Sequence, residues 1–275
     1  MRQIKLGQSG PMMSCLGYGA MSFSDFYGAT TDENSFAILD EAMEAGVTHL
    51  DTANVYGMGR SERVIGDYLK ARPEAREHFT IATKAAITRD GDGNRLFRND
   101  LEHLETELDA SLTRLGVEAV DLFYAHRRDK SRPIEESAEA LAALVRKGKA
   151  KAIGLSEISP TSLARAHAVH PVAAVQSEYS LSTRSPDLGL IQGCARIGAT
   201  FVAFSPVGRS FLTDTPLGWD TVQGLPFLAS NPRFTPETYP ANIAATDAFR
   251  ALAVGMRTSA AALAVAWTPG PGARV

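Results

Sequence analysis

One unit recurs along this chain: an amphipathic helix closed by a glycine, then a short apolar strand that stops at a polar residue. Gly46 leads into 47–50 and then Asp51, Gly116 into 117–124 and then His126, Gly148 into 149–155 and then Ser156, and Gly198 into 199–204 and then Ser205. A glycine suits the left-handed position just past a helix. Segments 79–83, before Lys84, and 172–175, before Gln176, fit the same scheme without the glycine. Between the strands, Thr30 and Glu33 read as a capping box ahead of Phe36, Leu39 and Met43. Ser61 reads as the cap of a helix carrying Val64, Ile65, Tyr68 and Leu69. Leu101, Leu104, Leu108, Leu112 and Leu115 form one helical stripe, and Pro133 opens a helix with Ile134, Leu141 and Leu144. Strands alternating with helices at this spacing predict βαβ units and a parallel sheet. Segment 211–240, rich in Pro, Gly, Asn and Thr, reads as a long loop after the seventh strand.

Two parallel architectures compete. A doubly wound dinucleotide-binding sheet needs a Gly-x-Gly-x-x-Gly turn after its first strand. The nearest match, Gly17-Tyr18-Gly19-Ala20-Met21-Ser22, lacks the third glycine, and the next helix starts only near Thr31. A (β/α)8 barrel instead places functional residues at the C-terminal ends of many strands. Asp51, Lys84, His126, Ser156, Gln176 and Ser205 all stand at such ends. The reading is therefore a TIM-type barrel, and no linker divides its 275 residues, so 1–275 is taken as one domain.

Composition narrows the function classes. With 28 Lys+Arg against 31 Asp+Glu the net charge is −3, which argues against a nucleic-acid surface. A hydrophobic share of 44% excludes a disordered chain. Cys15 and Cys194 form neither a disulfide framework nor a zinc spacing, and read as reduced thiols of a cytosolic protein. No apolar signal core follows the first residues, and no run approaches the ~18 apolar residues of a membrane span. A cytoplasmic protein without membrane or nucleic-acid partners is expected.

Asp51, Lys84 and His126 end three successive strands and should meet at one barrel mouth, with Tyr56 on the loop five residues past Asp51. A Lys about 4 Å from a tyrosine hydroxyl, at an effective dielectric near 20, favours tyrosinate by about 4 kcal/mol, or about three pKa units. Asp51 would keep Lys84 charged, and Tyr56 becomes an acid or base near neutral pH. Each residue also has a plain structural reading. Asp51 could cap a loop, Tyr56 could be an ordinary loop tyrosine, Lys84 a solvated strand end, and Phe204 a core aromatic. His126 could belong with Arg127, Arg128 and Asp129 to a surface charge cluster. The other histidines form no metal-binding pattern, so no metal is expected.

Together these positions resemble the aldo-keto reductase family. The matching segments are Gly17-Tyr18-Gly19-Ala20-Met21, His49-Leu50-Asp51-Thr52-Ala53-Asn54-Val55-Tyr56-Gly57, Thr83-Lys84, Asp121-Leu122-Phe123-Tyr124-Ala125-His126, Gly154-Leu155-Ser156-Glu157, Val175-Gln176-Ser177-Glu178-Tyr179 and the stretch 203–212. The resemblance implies a reductase of aldehydes or ketones that uses NADPH (NADP+), with NADH as the weaker alternative. Asp51, Tyr56, Lys84 and His126 would be the catalytic tetrad, Tyr56 giving the proton as hydride reaches the carbonyl carbon. Ser156 and Gln176 would hold the carboxamide of the cofactor and Phe204 would stack on its nicotinamide. Gly19, Ala20, Met21 and Asp51 would line it, and Ser205, Pro206, Val207, Gly208 and Arg209 would meet the pyrophosphate. Glu157 and Phe204 depart from the Asn and Tyr that many relatives carry. Segment 3–13 resembles the hairpin that plugs the barrel bottom.

The end of the chain departs further. A helix over 258–267 is followed by Thr268-Pro269-Gly270-Pro271-Gly272-Ala273-Arg274-Val275, too rich in Pro and Gly for a central strand. Seven strands are legible, and the eighth strand, the last helix and the 2′-phosphate-binding segment of the family are expected to be missing after about residue 267. Exposed strand edges and a weaker preference for NADP over NAD would follow. Two functions remain: an NADPH-dependent carbonyl reductase, or a non-catalytic nicotinamide-binding or regulatory barrel disabled by the missing segment. Substrate choice would lie in loops 23–29, 89–97 and 211–240, with Phe23, Phe26, Tyr27, Phe97, Phe211 and Trp219 as candidate wall residues.

Overall fold

A computed structural model describes residues 1–268. Among the described residues are eleven strands: β1 (Gln3–Lys5), β2 (Met12–Ser14), β3 (Tyr18–Gly19), β4 (His49–Asp51), β5 (Thr80–Ala85), β6 (Ile87–Arg89), β7 (Arg95–Phe97), β8 (Leu122–Ala125), β9 (Ile153–Ser156), β10 (Val172–Glu178) and β11 (Thr200–Phe204). Seven of them form one parallel sheet in the order β11-β10-β9-β8-β5-β4-β3. The first and last members, β3 and β11, border one cavity, lined by Gly17 to Gly19 on one side and by residues 200–206 on the other. The sheet is therefore a nearly closed barrel with helices alternating outside it, as the (β/α)8 architecture requires. The expectation for the chain after Thr268 falls outside the described residues. Among those described, the barrel has seven strands.

Helices α1 (Asp32–Glu44), α2 (Arg60–Ala71), α3 (Glu74–His78), α4 (Leu101–Leu115), α5 (Ile134–Arg146), α6 (Pro160–Val169) and α7 (Leu190–Ile197) connect the strands. The leucine stripe of α4 packs as its spacing predicts, with Leu104, Leu108, Leu112 and Leu115 buried. The helix ends at Gly116, whose φ of 66° is the left-handed conformation anticipated there. Two caps differ from expectation. Thr31, not Thr30, caps α1 by accepting from the Asn34 N–H at 3.2 Å. Ser61 lies inside α2, fully buried, and donates to the Ala20 carbonyl at 2.7 Å while pairing with the Thr52 hydroxyl at 2.8 Å. That small polar knot ties the start of α2 to the loop that carries Tyr56.

The β1–β2 hairpin closes the barrel bottom. Leu6 and Met13 pack with Ala82, Leu122, Tyr124 and Ala174 from inside the barrel. Gly154, the register partner of Tyr124, makes room for this layer: a Cβ there would stand 2.4 Å from the tyrosine ring.

Segment 211–240 is not a loop. It holds α8 (Trp219–Gln223), α9 (Pro226–Ala229) and the start of α10 (Tyr239–Ala245), followed by α11 (Asp247–Gly255) and α12 (Ala260–Trp267). Phe211, Val222, Leu228, Phe234 and Tyr239 form a separate small core there. The helical runs are too short for a 3.6-residue period to show, so turn-forming residues dominated the pattern. No single helix among the described residues is long and apolar enough to cross a membrane.

Candidate active site

The parallel topology brings Asp51, Lys84 and His126 to one end of adjacent strands. Lys84 is fully buried, so its reading as a solvated strand end is excluded. Its ammonium pairs with the Asp51 carboxylate and donates to the Thr52 carbonyl at 2.8 Å. Burial works against this charge, but Asp51 and the neighbouring Tyr56 outweigh it and hold the ammonium above its ordinary value. The second Asp51 oxygen accepts from Gln176 Nε2 at 2.8 Å. Asp51 is thus fixed between two strands and cannot swing away from the lysine.

Tyr56 lies over this pair. Lys84 Nζ is 5.2 Å from the Tyr56 ring centroid, and the His126 ring stands edge-on to it at 5.9 Å. His126 is buried, and burial, together with Lys84, Arg127 and Arg95, pushes its pKa well below the usual imidazole value. It is therefore neutral at physiological pH. Its Nδ1 is buried without a hydrogen-bond partner among the described residues. Beneath Lys84 lies Tyr124, fully buried and held well above the usual tyrosine pKa, first by burial and then by the Asp51 charge. Of the two tyrosines near the lysine, only Tyr56 faces the cavity.

That cavity has a volume of about 1220 Å³ and is lined by Asp51, Tyr56, His126, Ser156, Gln176, Phe204, Ser205, Pro206 and Arg209, with Gly19 from β3 and Met21 from the short helical turn that follows it. Ala20, Val207 and Gly208 do not line it. Ala20 is buried behind the strand, and Val207 and Gly208 turn back onto Leu212. Ser156 and Gln176 already have protein partners. The Ser156 hydroxyl accepts from Arg127 at 3.0 Å, and Gln176 donates to Asp51. Arg127 was legible only as surface charge. It follows His126 directly, and no periodicity marks a residue beyond a strand end.

The cavity also fits an extended nicotinamide dinucleotide in chemical terms. Ser205, Gly208, Arg209 and Ser210 all have positive φ, 52°, 60°, 55° and 86°. Successive N–H groups in such a left-handed turn make a concave anion-binding surface. Arg209 Nε is buried there without a partner among the described residues. The same guanidinium donates to Glu178 at 2.8 Å, and Arg233 meets the other oxygen at 2.7 Å. Burial raises the Glu178 pKa, but these two cations outweigh it and keep the carboxylate ionised. Glu157, one of the departures, accepts from the Glu178 N–H at 2.7 Å and has a left-handed φ of 54°. It braces the ends of β9 and β10. No group of three or more metal-ligating side chains is present among the described residues.

Of the expected substrate wall, Phe26 and Tyr27 line the cavity. Phe23 is buried in the barrel core, Phe97 is outside the lining, and Phe211 and Trp219 pack in the small core of segment 211–240. Phe227, which sequence reasoning missed, completes the wall, 5.4 Å from Phe26, while Phe26 stands 6.2 Å from Tyr56.

Residues 15–269 match the model of the aldo/keto reductase family. The chain is 41% identical over 245 residues to aldo-keto reductase str7 of Strobilurus tenacellus, covering 86% of this chain and 70% of that protein. It is 38% identical over 268 residues to probable aldo-keto reductase 1 of Glycine max, covering 96% of this chain and 76% of that protein. Among solved structures, a glycerol dehydrogenase from Gluconobacter oxydans superposes with a TM-score of 0.82 at 27% identity, covering 96% of this chain and 82% of that one. An aldo-keto reductase from Bacillus halodurans superposes with a TM-score of 0.70 at 29% identity, covering 79% of this chain and 70% of that one.

Proposed function

The chain belongs to the aldo/keto reductase family, whose members are nicotinamide-dependent oxidoreductases, and from that premise we propose that it reduces an aldehyde or ketone to an alcohol with NADPH, Tyr56 giving the proton. The observation that carries the reading is the buried Lys84–Asp51 pair set against a cavity-facing Tyr56. A buried ammonium with a fixed counter-ion is a permanent positive field beside the Tyr56 Oη. It stabilises the tyrosinate left when the hydroxyl proton moves to the developing alkoxide.

His126 has a different part. A neutral imidazole offers one N–H and no charge, so it can orient the carbonyl oxygen without competing with Tyr56 as the acid. Asp51 acts through Lys84 and touches no reacting atom. Ser156, Gln176 and Phe204 would hold the nicotinamide and its carboxamide, the Ser156 hydroxyl donating while it accepts from Arg127, and Gln176 using its second N–H and its oxygen beside the bond to Asp51. The turn from Ser205 to Ser210, with Arg209, would receive the pyrophosphate, and Gly19 and Met21 would flank the cofactor. When bound, the nicotinamide supplies the hydride.

The test is NADPH oxidation with a reactive aromatic aldehyde, comparing the protein with its Tyr56→Phe variant, with cofactor binding followed by fluorescence in both. Loss of turnover with cofactor binding retained is the expected result. Equal turnover removes Tyr56 from the donor role.

A further inference from the structure

Besides Arg114 and Arg209, the cavity is lined by Arg89, Arg95 and Arg127, and the charges of Arg95 and Arg127 reach His126. Arg89 and Arg95 belong to the β6–β7 hairpin, where the register sets them directly opposite each other. Like charges at directly opposed positions destabilise an antiparallel pair. Arg89 donates to the Gly93 carbonyl at 2.6 Å, Arg95 lies over the Phe97 ring at 5.3 Å, and Arg127 donates to the His126 carbonyl at 2.6 Å and to Ser156. None of the three has a carboxylate within ion-pair distance among the described residues, whereas Arg209 and Arg233 at the same mouth share Glu178.

Nearby acids are engaged elsewhere. Asp90 accepts from the Asp92 and Asn94 N–H groups and from the Asn94 amide, which holds the hairpin turn. Glu157, whose charge reaches Arg127, is hydrogen-bonded to Glu178 N–H. Another stretch of the wall is aromatic, formed by Phe26, Tyr27 and Phe227. The mouth around Tyr56 thus offers guanidinium groups and aromatic faces together, Arg209 itself lying 4.9 Å over the Phe227 ring.

We propose that the site selects anionic carbonyl compounds, an aldehyde or ketone on an apolar body that bears a carboxylate, with Arg89, Arg95 and Arg127 receiving the carboxylate. Guanidinium forks match a carboxylate in plane and in donor spacing. The inference rests on the reductase reading for its chemistry: the carbonyl carbon gains the hydride electron pair, the carbonyl oxygen gains a proton, and the carboxylate is unchanged.

The experiment compares 4-carboxybenzaldehyde with methyl 4-formylbenzoate, a neutral ester of similar shape. The acid should have at least about tenfold higher kcat/KM at low ionic strength, mainly through a lower KM. That ratio should shrink as salt is added, because such steering is screened. In the Arg89→Gln/Arg95→Gln double variant the ratio should fall at least about fivefold. The second readout needs no turnover: calorimetric titration of the cofactor-free protein should show the acid binding more tightly than the ester, with the difference lost in the double variant. Equal use of the two aldehydes, or a preference for the acid that survives the double substitution, overturns the proposal. If neither aldehyde is reduced, the reductase reading fails, and the calorimetric comparison alone still decides whether the anion site exists.

Discussion

The floor of the mouth and its rim are both charged, but they balance their charges in opposite ways. On the floor, Lys84 is enclosed and answered by Asp51, which is itself held by Gln176. On the rim, Arg89 faces Arg95 across a hairpin, Arg127 lines the same cavity, and no carboxylate lies within ion-pair distance of any of the three among the described residues. A buried charge without its partner costs several kcal/mol, so the floor has to be complete before any ligand arrives. Arg89 and Arg95 are exposed and Arg127 is partly buried, and arginines in contact with water tolerate an open valence, so the rim can wait for a ligand to supply the anion. The floor is built for a reaction common to many carbonyls, and the rim for choosing among them.

Substitutions should separate the two regions by size and sign. The largest effect belongs to Tyr56→Phe, which should lower kcat by about 10²- to 10⁴-fold, the range of a lost general acid, as steady-state assays would read. Asp51→Asn leaves Lys84 buried without its counter-ion. It should cost about 3 kcal/mol, seen as a fall in Tm of roughly 5 °C or more in thermal unfolding. A Tm within a degree of wild type would show that the floor does not depend on this pair.

Acid should act on the floor as well. His126 and His49 are both depressed by burial, so below about pH 6.5 the unfolded chain takes up protons that the folded chain refuses. Stability should therefore fall as pH drops below about 6.5, by up to about 1.4 kcal/mol per pH unit for each histidine. Denaturant titrations of His126→Gln across that window should show a shallower slope. The smallest effect has the opposite sign. Arg89→Glu turns a like pair into an opposite pair and should stabilise the protein by about 0.5 kcal/mol in the same titrations, while removing the preference for a carboxylated aldehyde. A loss of stability in this variant would mean that the rim is already balanced within the fold.

These regions also differed in how far the sequence disclosed them. The strand ends were legible because each apolar run stops at one polar residue. Asp51 proves to be the last residue of β4, and Lys84 is followed by a single further strand residue in β5. What the run could not disclose was direction and partner. Gln176 reaches Asp51 across 125 residues of chain, and such a pairing leaves no local trace. Thr30 and Thr31 are equivalent to a capping pattern, and only the backbone turn chose Thr31. Ser61 matched a cap but was claimed by the Ala20 carbonyl and Thr52. Arg127 sits beyond the end of β8, whose residues are all buried, so alternation gave no hint of its side. Phe227 lies on a four-residue helix, too short for any period.

The central claim is that Tyr56, set over the Lys84–Asp51 pair, protonates a carbonyl as hydride arrives. The most direct measurement uses NADPH deuterated at the transferring carbon and an aromatic aldehyde, with the alcohol read by mass spectrometry and NMR. The account predicts one deuterium on the carbinol carbon with the unaltered protein, and at least about a hundredfold less labelled alcohol in the same time with a folded Tyr56→Phe variant. Labelled alcohol formed equally by both, or no label from a protein that binds the cofactor, would contradict it.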